Sequence, residues 1–180
     1  STVEEIEAAI QQLSPGEMAA FRAWYAEFDA AAWDRQIAED EAAGRLDWLI
    51  SEALDDLELA AAPIDEASRK PAFLEYYRAL PDEIQQLADR GYQMLLQDPR
   101  HPSLHYKRIG RLWSARVGLH HRALATERNG EIVWIWIGSH AEYDLLLRER
   151  ANKAMQRTRD KVGPDEKVQG REPLIATVRQ

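Results

Sequence analysis

The chain has 180 residues, no cysteine, and 31 acidic against 23 basic side chains, a formal net charge of −8. Its 45% hydrophobic content is that of a globular protein with a buried core, and the lack of cysteine excludes a disulfide framework, a thiolate metal site and a cysteine nucleophile. No apolar run approaches the roughly 18 residues of a membrane span, and the opening "STVEEIEAAI" is acidic where a secretory signal is basic, so the expectation is a cytoplasmic protein with no membrane partner.

The charge is unevenly placed. Residues 1–60 hold 15 acidic side chains against 3 arginines, a net of −12, whereas residues 61–180 carry +4. The first sixty residues read as helical. Val3, Ile6, Ile10 and Leu13 repeat at the spacing of one helix face, and "SPGE" combines a Ser cap (Ser14), Pro15 at the first helical position and Glu17 at the third, which predicts a new helix. Met18, Phe21, Trp24, Tyr25, Phe28 and Trp33 give it an apolar stripe, and Gly44 is placed to end it. A third amphipathic stretch contains Leu46, Leu49, Ile50, Ala53, Leu54 and Leu57. These stripes make either a small helical subdomain of their own or, as short helices stand poorly alone, an arm laid on another surface through Phe21, Trp24, Phe28, Trp33, Leu46 and Leu49.

"LAAAPIDEASRK" (59–70) has no sustained apolar period and reads as a linker. "PAFLEYYRAL" (71–80) and "PDEIQQLADRGYQMLLQD" (81–98), divided by Pro81, predict an antiparallel helical hairpin with Phe73, Tyr76, Tyr77 and Leu80 facing Ile84, Leu87, Tyr92 and Leu95. The period then changes to two. "SLHYKRI", "LWSARVGL", "HHRALATE" and "EIVWIWIG" predict three or four short strands, and "RNG" (128–130) is a hairpin turn signal. Alternation sets Trp113, Ala115 and Val117 on the face that meets the helical hairpin and Ser114 and Arg116 on the other. A helix over 141–161, a polar loop and the strand-like "PLIATV" (173–178) close the chain.

Residues 100–128 form a basic strip: Arg100, Lys107, Arg108, Arg111, Arg116, Arg122 and Arg128 against Glu127 alone. From about 71 to 147 the chain resembles the RelE/ParE superfamily of bacterial type II toxins, in "RALPDEIQQLAD", "DPRHPSLHYKRIG", "LWSARVGLHHRAL" and "IVWIWIGSHAEYDLL". Residues 1–58, notably "WDRQIAEDEAAGRLDWL", resemble the small acidic helical antitoxins that accompany such toxins. The resemblance implies an α+β fold, with an N-terminal helical arm (1–58), a linker (59–70), a toxin-like body (71–161) and a polar tail with a possible edge strand (162–180). It implies a toxin–antitoxin fusion: an mRNA endonuclease acting on the ribosome without metal or other cofactor, neutralised by the arm of the same or a neighbouring chain. A homodimer is an open alternative.

Residue by residue, the resemblance puts a phosphate-binding role on Arg116 and a catalytic acid or base on His140, with Tyr143 and Lys107 as catalytic partners. It assigns Arg108, Arg111, His105 and His121 to RNA binding. Scission by the adjacent 2′-hydroxyl needs a base, an acid and cations, which His, Tyr, Lys and Arg supply. His140 as a helix cap and Tyr143 as a core aromatic are the competing structural readings, and Arg122 is expected to pair with a carboxylate inside the fold. Glu39, Asp40, Glu41, Asp47, Asp55 and Asp56 are the arm's candidates to face Lys107, Arg108 and Arg116. The chain lacks the strand that opens the family fold, an edge that "PLIATV" is expected to fill. Gyrase inhibition in the manner of ParE, and a non-catalytic regulatory module on the same scaffold, are the alternatives. The charge of −12 on residues 1–60 argues against DNA binding by the arm.

Overall fold

The computed structural model describes residues 1–60 and 72–161, so residues 61–70 of the linker and the "PLIATV" edge strand lie outside the described residues, and residues 59 and 60, expected in the linker, close a helix instead. Among the described residues, six α-helices and a four-stranded antiparallel sheet make an α+β fold. By compactness it divides into residues 1–144 and 145–180; of the second, the described part is the last helix from residue 145 onward.

The first helix, α1 (Val3–Gln11), is fixed by a capping box between Thr2 and Glu5. The same device, Ser14 with Glu17 and Pro15, opens α2 (Pro15–Ala42), whose 28 residues run from that start to just before Gly44, as the cap and the glycine predict. Gly44, at φ +73°, lets the chain turn into α3 (Asp47–Ala60). The helical hairpin is α4 (Ala72–Ala79) and α5 (Asp82–Gln97), with Pro81 between them.

The sheet is a meander, β1 (Lys107–Ile109), β2 (Leu112–Val117), β3 (His121–Arg128) and β4 (Glu131–Ser139), in the order of the chain. The stretch before β1 is shorter as a strand than its composition predicts, because Pro102–Leu104 forms a 3-10 turn and His105 sits at φ +41°. Asn129 and Gly130, both at positive φ, make the tight β3–β4 turn. The last helix is α6 (His140–Lys161). No described helix is long and apolar enough to cross a membrane.

One sheet face carries Val117, Ala123 and Ile137, buried with Leu80 against Phe73, Tyr77, Ile84 and Leu87 of the hairpin. The other carries Leu112, Ser114, Leu124 and Trp136, all at most 2% exposed. Apolar side chains buried to this degree need a cover, and α2 supplies it. Ala26, Ala30, Trp33, Ile37 and Asp40, spaced three or four apart, are the buried line of that helix. Trp33 meets Trp136 edge-on, with ring centroids 6.2 Å apart, and α3 runs beside β4.

Candidate functional site

Strand alternation sends Lys107 and Arg116 out of the sheet face that α2 covers. Arg122 stands directly across from Arg116 in the β2–β3 register, so it emerges on the same side. Each of these cations meets a carboxylate of the arm. Arg116 holds Glu27 through two bonds, 2.9 and 3.2 Å. Lys107 pairs with one oxygen of Asp34 and Arg122 with the other. Arg111, in the β1–β2 turn, pairs with Glu41 at 2.5 Å and with Asp47.

Arg122 is the residue that sequence reasoning left in a structural role. Its side chain is 3% exposed and donates to the backbone carbonyl of Ala30 (2.7 Å) and to Ser114 Oγ (3.4 Å). The guanidinium lies 5.0 Å from the centre of the Trp33 ring. Burial pulls its pKa down to about 10, opposed by the charges of Asp29 and Glu27, so it stays cationic at neutral pH. Apart from Ser114 those partners belong to α2, not to the body. The signal that finds it is the hairpin register: once Arg116 is placed on a face, its cross-strand neighbour in "HHRAL" shares that face.

His140 follows β4 directly and begins α6. The cap of that helix is Ser139, which exchanges bonds with Glu142 (2.6 and 3.2 Å), so the imidazole is not consumed in capping. Its Nδ1 lies 3.1 Å from Asp29, and its Nε2 lies 2.7 Å from Gln36 Oε1. The amide of Gln36 is oriented by donating to Asp144 at 2.6 Å. Both ring nitrogens thus face oxygen atoms of α2 side chains. Trp33 stacks flat on it, centroids 4.8 Å apart and planes 4° from parallel.

Tyr143, one turn along α6, is fully buried, and its hydroxyl donates to Asp40 at 2.8 Å. Burial first, and then that bond, push the phenol well above its ordinary range. Asp40 is also held by Arg45 at 2.6 Å. His105 Nε2 lies 3.5 Å from Arg116. Lys107, whose pKa is lowered by burial and by Arg116, completes the cluster.

Two expected RNA-binding residues fall elsewhere. Arg108 is paired in register with Trp113, bonds Gly110 O at 3.0 Å and lies over the Trp113 ring, on the face away from Arg116, because it is odd in the alternation that Lys107 begins. His121 is across from Val117, on the face of the helical hairpin, and burial lowers its pKa. Of the expected acidic contacts, Glu41 and Asp47 meet Arg111, and Asp40 meets Tyr143 of the body and Arg45 of its own arm. The partners of Lys107 and Arg116 are instead Asp34 and Glu27, earlier in the helix. Trp33, Leu46 and Leu49 are buried, whereas Trp24 and Phe28 are more than half exposed and do not pack on the body. They lie on the side of α2 opposite its buried line, a consequence of the 3.6-residue turn that a simple list of aromatics conceals.

The fold and site define an α+β protein whose helical arm covers a cationic sheet face. No family model, curated protein or solved structure matches the chain.

Proposed function

We propose that the chain is a toxin–antitoxin fusion, an mRNA endonuclease with a RelE-like body that is held silent by its own acidic helical arm. The observation that carries this reading is the pairing pattern. Lys107, Arg116 and Arg122 of the sheet and His140 and Tyr143 of α6 all face α2, and each is engaged by it through Asp34, Glu27, Asp29, Gln36 or Asp40. Carboxylates at these positions meet the cations as the phosphates of a bound strand would, and Trp33 stacks on His140 as a base would stack on an exposed ring.

With the arm displaced, Arg116, Arg122 and Lys107 bind the scissile phosphate and its neighbour and stabilise the charge of the pentacoordinate phosphorus. His140 serves as acid or base as the ribose 2′-oxygen attacks the adjacent phosphorus and the bond to the 5′-oxygen breaks. Tyr143, released from Asp40, adds a hydroxyl beside it.

The test is expression of residues 63–180 alone, beside the full chain. The full chain is expected to be innocuous and the body to arrest growth with cleaved mRNA, which co-expression of residues 1–60 reverses. Arg116→Ala and His140→Ala in the body are expected to abolish the arrest while still binding the arm. Arrest with intact RNA would overturn the nuclease reading in favour of gyrase inhibition.

A further inference from the structure

The arm has a second face that the pairing with the body does not use. Phe21, Trp24, Tyr25 and Phe28 form one continuous ladder on α2: Trp24 stacks on Phe28 at 5.2 Å and Phe21 on Tyr25 at 5.9 Å. Trp24 is 57% exposed, Tyr25 48% and Phe28 52%. Counting 3.6 residues per turn, the centre of this ladder lies about 150° round the helix from the buried line of Ala26, Ala30, Trp33 and Ile37. Beside it α1, which has no buried residue, exposes Val3 and Ile6, and a groove between the two helices is lined by Ile6, Ile10, Leu13 and Phe21. Helix caps at Thr2 and Ser14 fix both elements, so this is an ordered apolar surface.

The sequence of the ladder, "FRAWYAEF" (21–28), reads almost the same in both directions, with Phe at each end and the Trp24–Tyr25 pair at the centre. That pattern is self-complementary under a two-fold axis. We infer that this face is a homodimer interface, in which α2 of two chains pack antiparallel about an axis passing between Trp24 and Tyr25. Phe21 then meets Phe28 of the partner subunit at the mouth of the α1–α2 groove, and Trp24 and Tyr25 each lie beside their own counterparts. The exposed portions of these aromatics, with Val3 and Ile6, amount to about 500 Å² per chain, so that two copies together reach the roughly 1,000 Å² that a specific interface requires. The opposite face of α2 stays on its own body, so dimerisation and the covering of the cationic site do not compete. The inference goes beyond the RNA reading and does not depend on it.

The experiment uses the full chain. Light scattering after size exclusion is expected to give twice the chain mass, and the double variant Trp24→Arg/Phe28→Glu is expected to halve it with an unchanged circular dichroism spectrum. Because the chain has no native cysteine, single cysteines report the geometry directly. The antiparallel arrangement brings the two Tyr25 Cα atoms to about 6 Å, within disulfide reach. Tyr25→Cys is therefore expected to form a covalent dimer under mild oxidation. Arg35→Cys, exposed on the same helix but about 30 Å from its counterpart along the axis, is expected to remain monomeric on a denaturing gel. A monomer at every concentration, a dimer that survives the double variant, or equal cross-linking at residue 35 would each overturn the proposal.

Discussion

Trp33 is the residue on which arm docking turns. It is 2% exposed and touches Trp136, His140, Tyr143 and Arg122 at once, while its indole N–H meets no acceptor among the described residues. Its contribution is thus apolar and π-based, and Trp33→Phe is expected to keep the site covered. Trp33→Ala is expected to cost about 3–5 kcal/mol and, on the proposed function, to release RNA cleavage in the full chain more than Glu27→Gln does, whose exposed ion pair contributes only about 0–1 kcal/mol. Equal release by both variants in a cleavage assay would make docking chiefly electrostatic. Asp34 behaves differently from Glu27 because its partner Arg122 is buried. Asp34→Asn removes the carboxylate paired directly with that buried guanidinium and leaves only the more distant charges of Asp29 and Glu27, and denaturant titration is expected to show a loss of several kcal/mol, against a near-zero change for Glu27→Gln. In that background Arg122→Met, which removes the stranded charge, is expected to recover part of the loss.

At the scale of elements, the β1–β2 turn joins sheet to arm. Gly110 adopts φ +59°, and the carboxylate of Glu41 lies against it while gripping Arg111, so a Cβ here would be both strained and in collision. Gly110→Ala is expected to destabilise the chain by at least the roughly 1–2 kcal/mol of a left-handed alanine. Hydrogen exchange is expected to speed up first in the C-terminal turns of α2. Uniform acceleration across the sheet would show that the turn serves the body and not the arm. The helical hairpin contrasts with the arm, since α5 has no fully buried residue and an apolar cavity of about 220 Å³ lies under it, lined by Tyr77, Leu95, Val117 and Ile137 among others. The arm side of the sheet is the more tightly closed of the two.

The whole molecule sets an acidic arm of −12 against a body of +4, and its response to pH follows from the arm's carboxylates. The hydrogen bond and charge of Arg116 hold Glu27 below its ordinary 4.5. A carboxylate whose pKa is lower when docked contributes in full above about 4.5, and that contribution is lost as pH falls through the docked value. Acidification is therefore expected to loosen the arm, seen as a change in tryptophan fluorescence that begins below about pH 4.5 and is diminished in Glu27→Gln. An identical transition in that variant would assign it to other groups. Salt is expected to act unequally: on the proposed function it weakens RNA binding by the isolated body steeply through counterion release, but it weakens arm docking only slightly, because Trp33, Ile37 and Arg122 are buried. Salt alone freeing the arm would contradict this.

Local chemistry determined much of this protein in advance. Ser14, Pro15 and Glu17 start α2, Pro81 divides the hairpin, and Asn129–Gly130 turns β3 into β4, because caps, proline and positive-φ residues act on their immediate backbone whatever surrounds them. The uneven charge was equally plain, since it needs only counting. The tertiary structure decided which acids meet which bases. Glu27, Asp29 and Asp34 are 89, 111 and 73 or more residues from Arg116, His140 and Lys107, and no periodicity within one segment encodes the register of a helix laid across a distant sheet. It also decided the two sides of the aromatic stripe. Trp33 and Trp24 look alike in the sequence, but a helix docked on one face must turn part of its apolar surface away, and only the docking angle settles which tryptophan is covered.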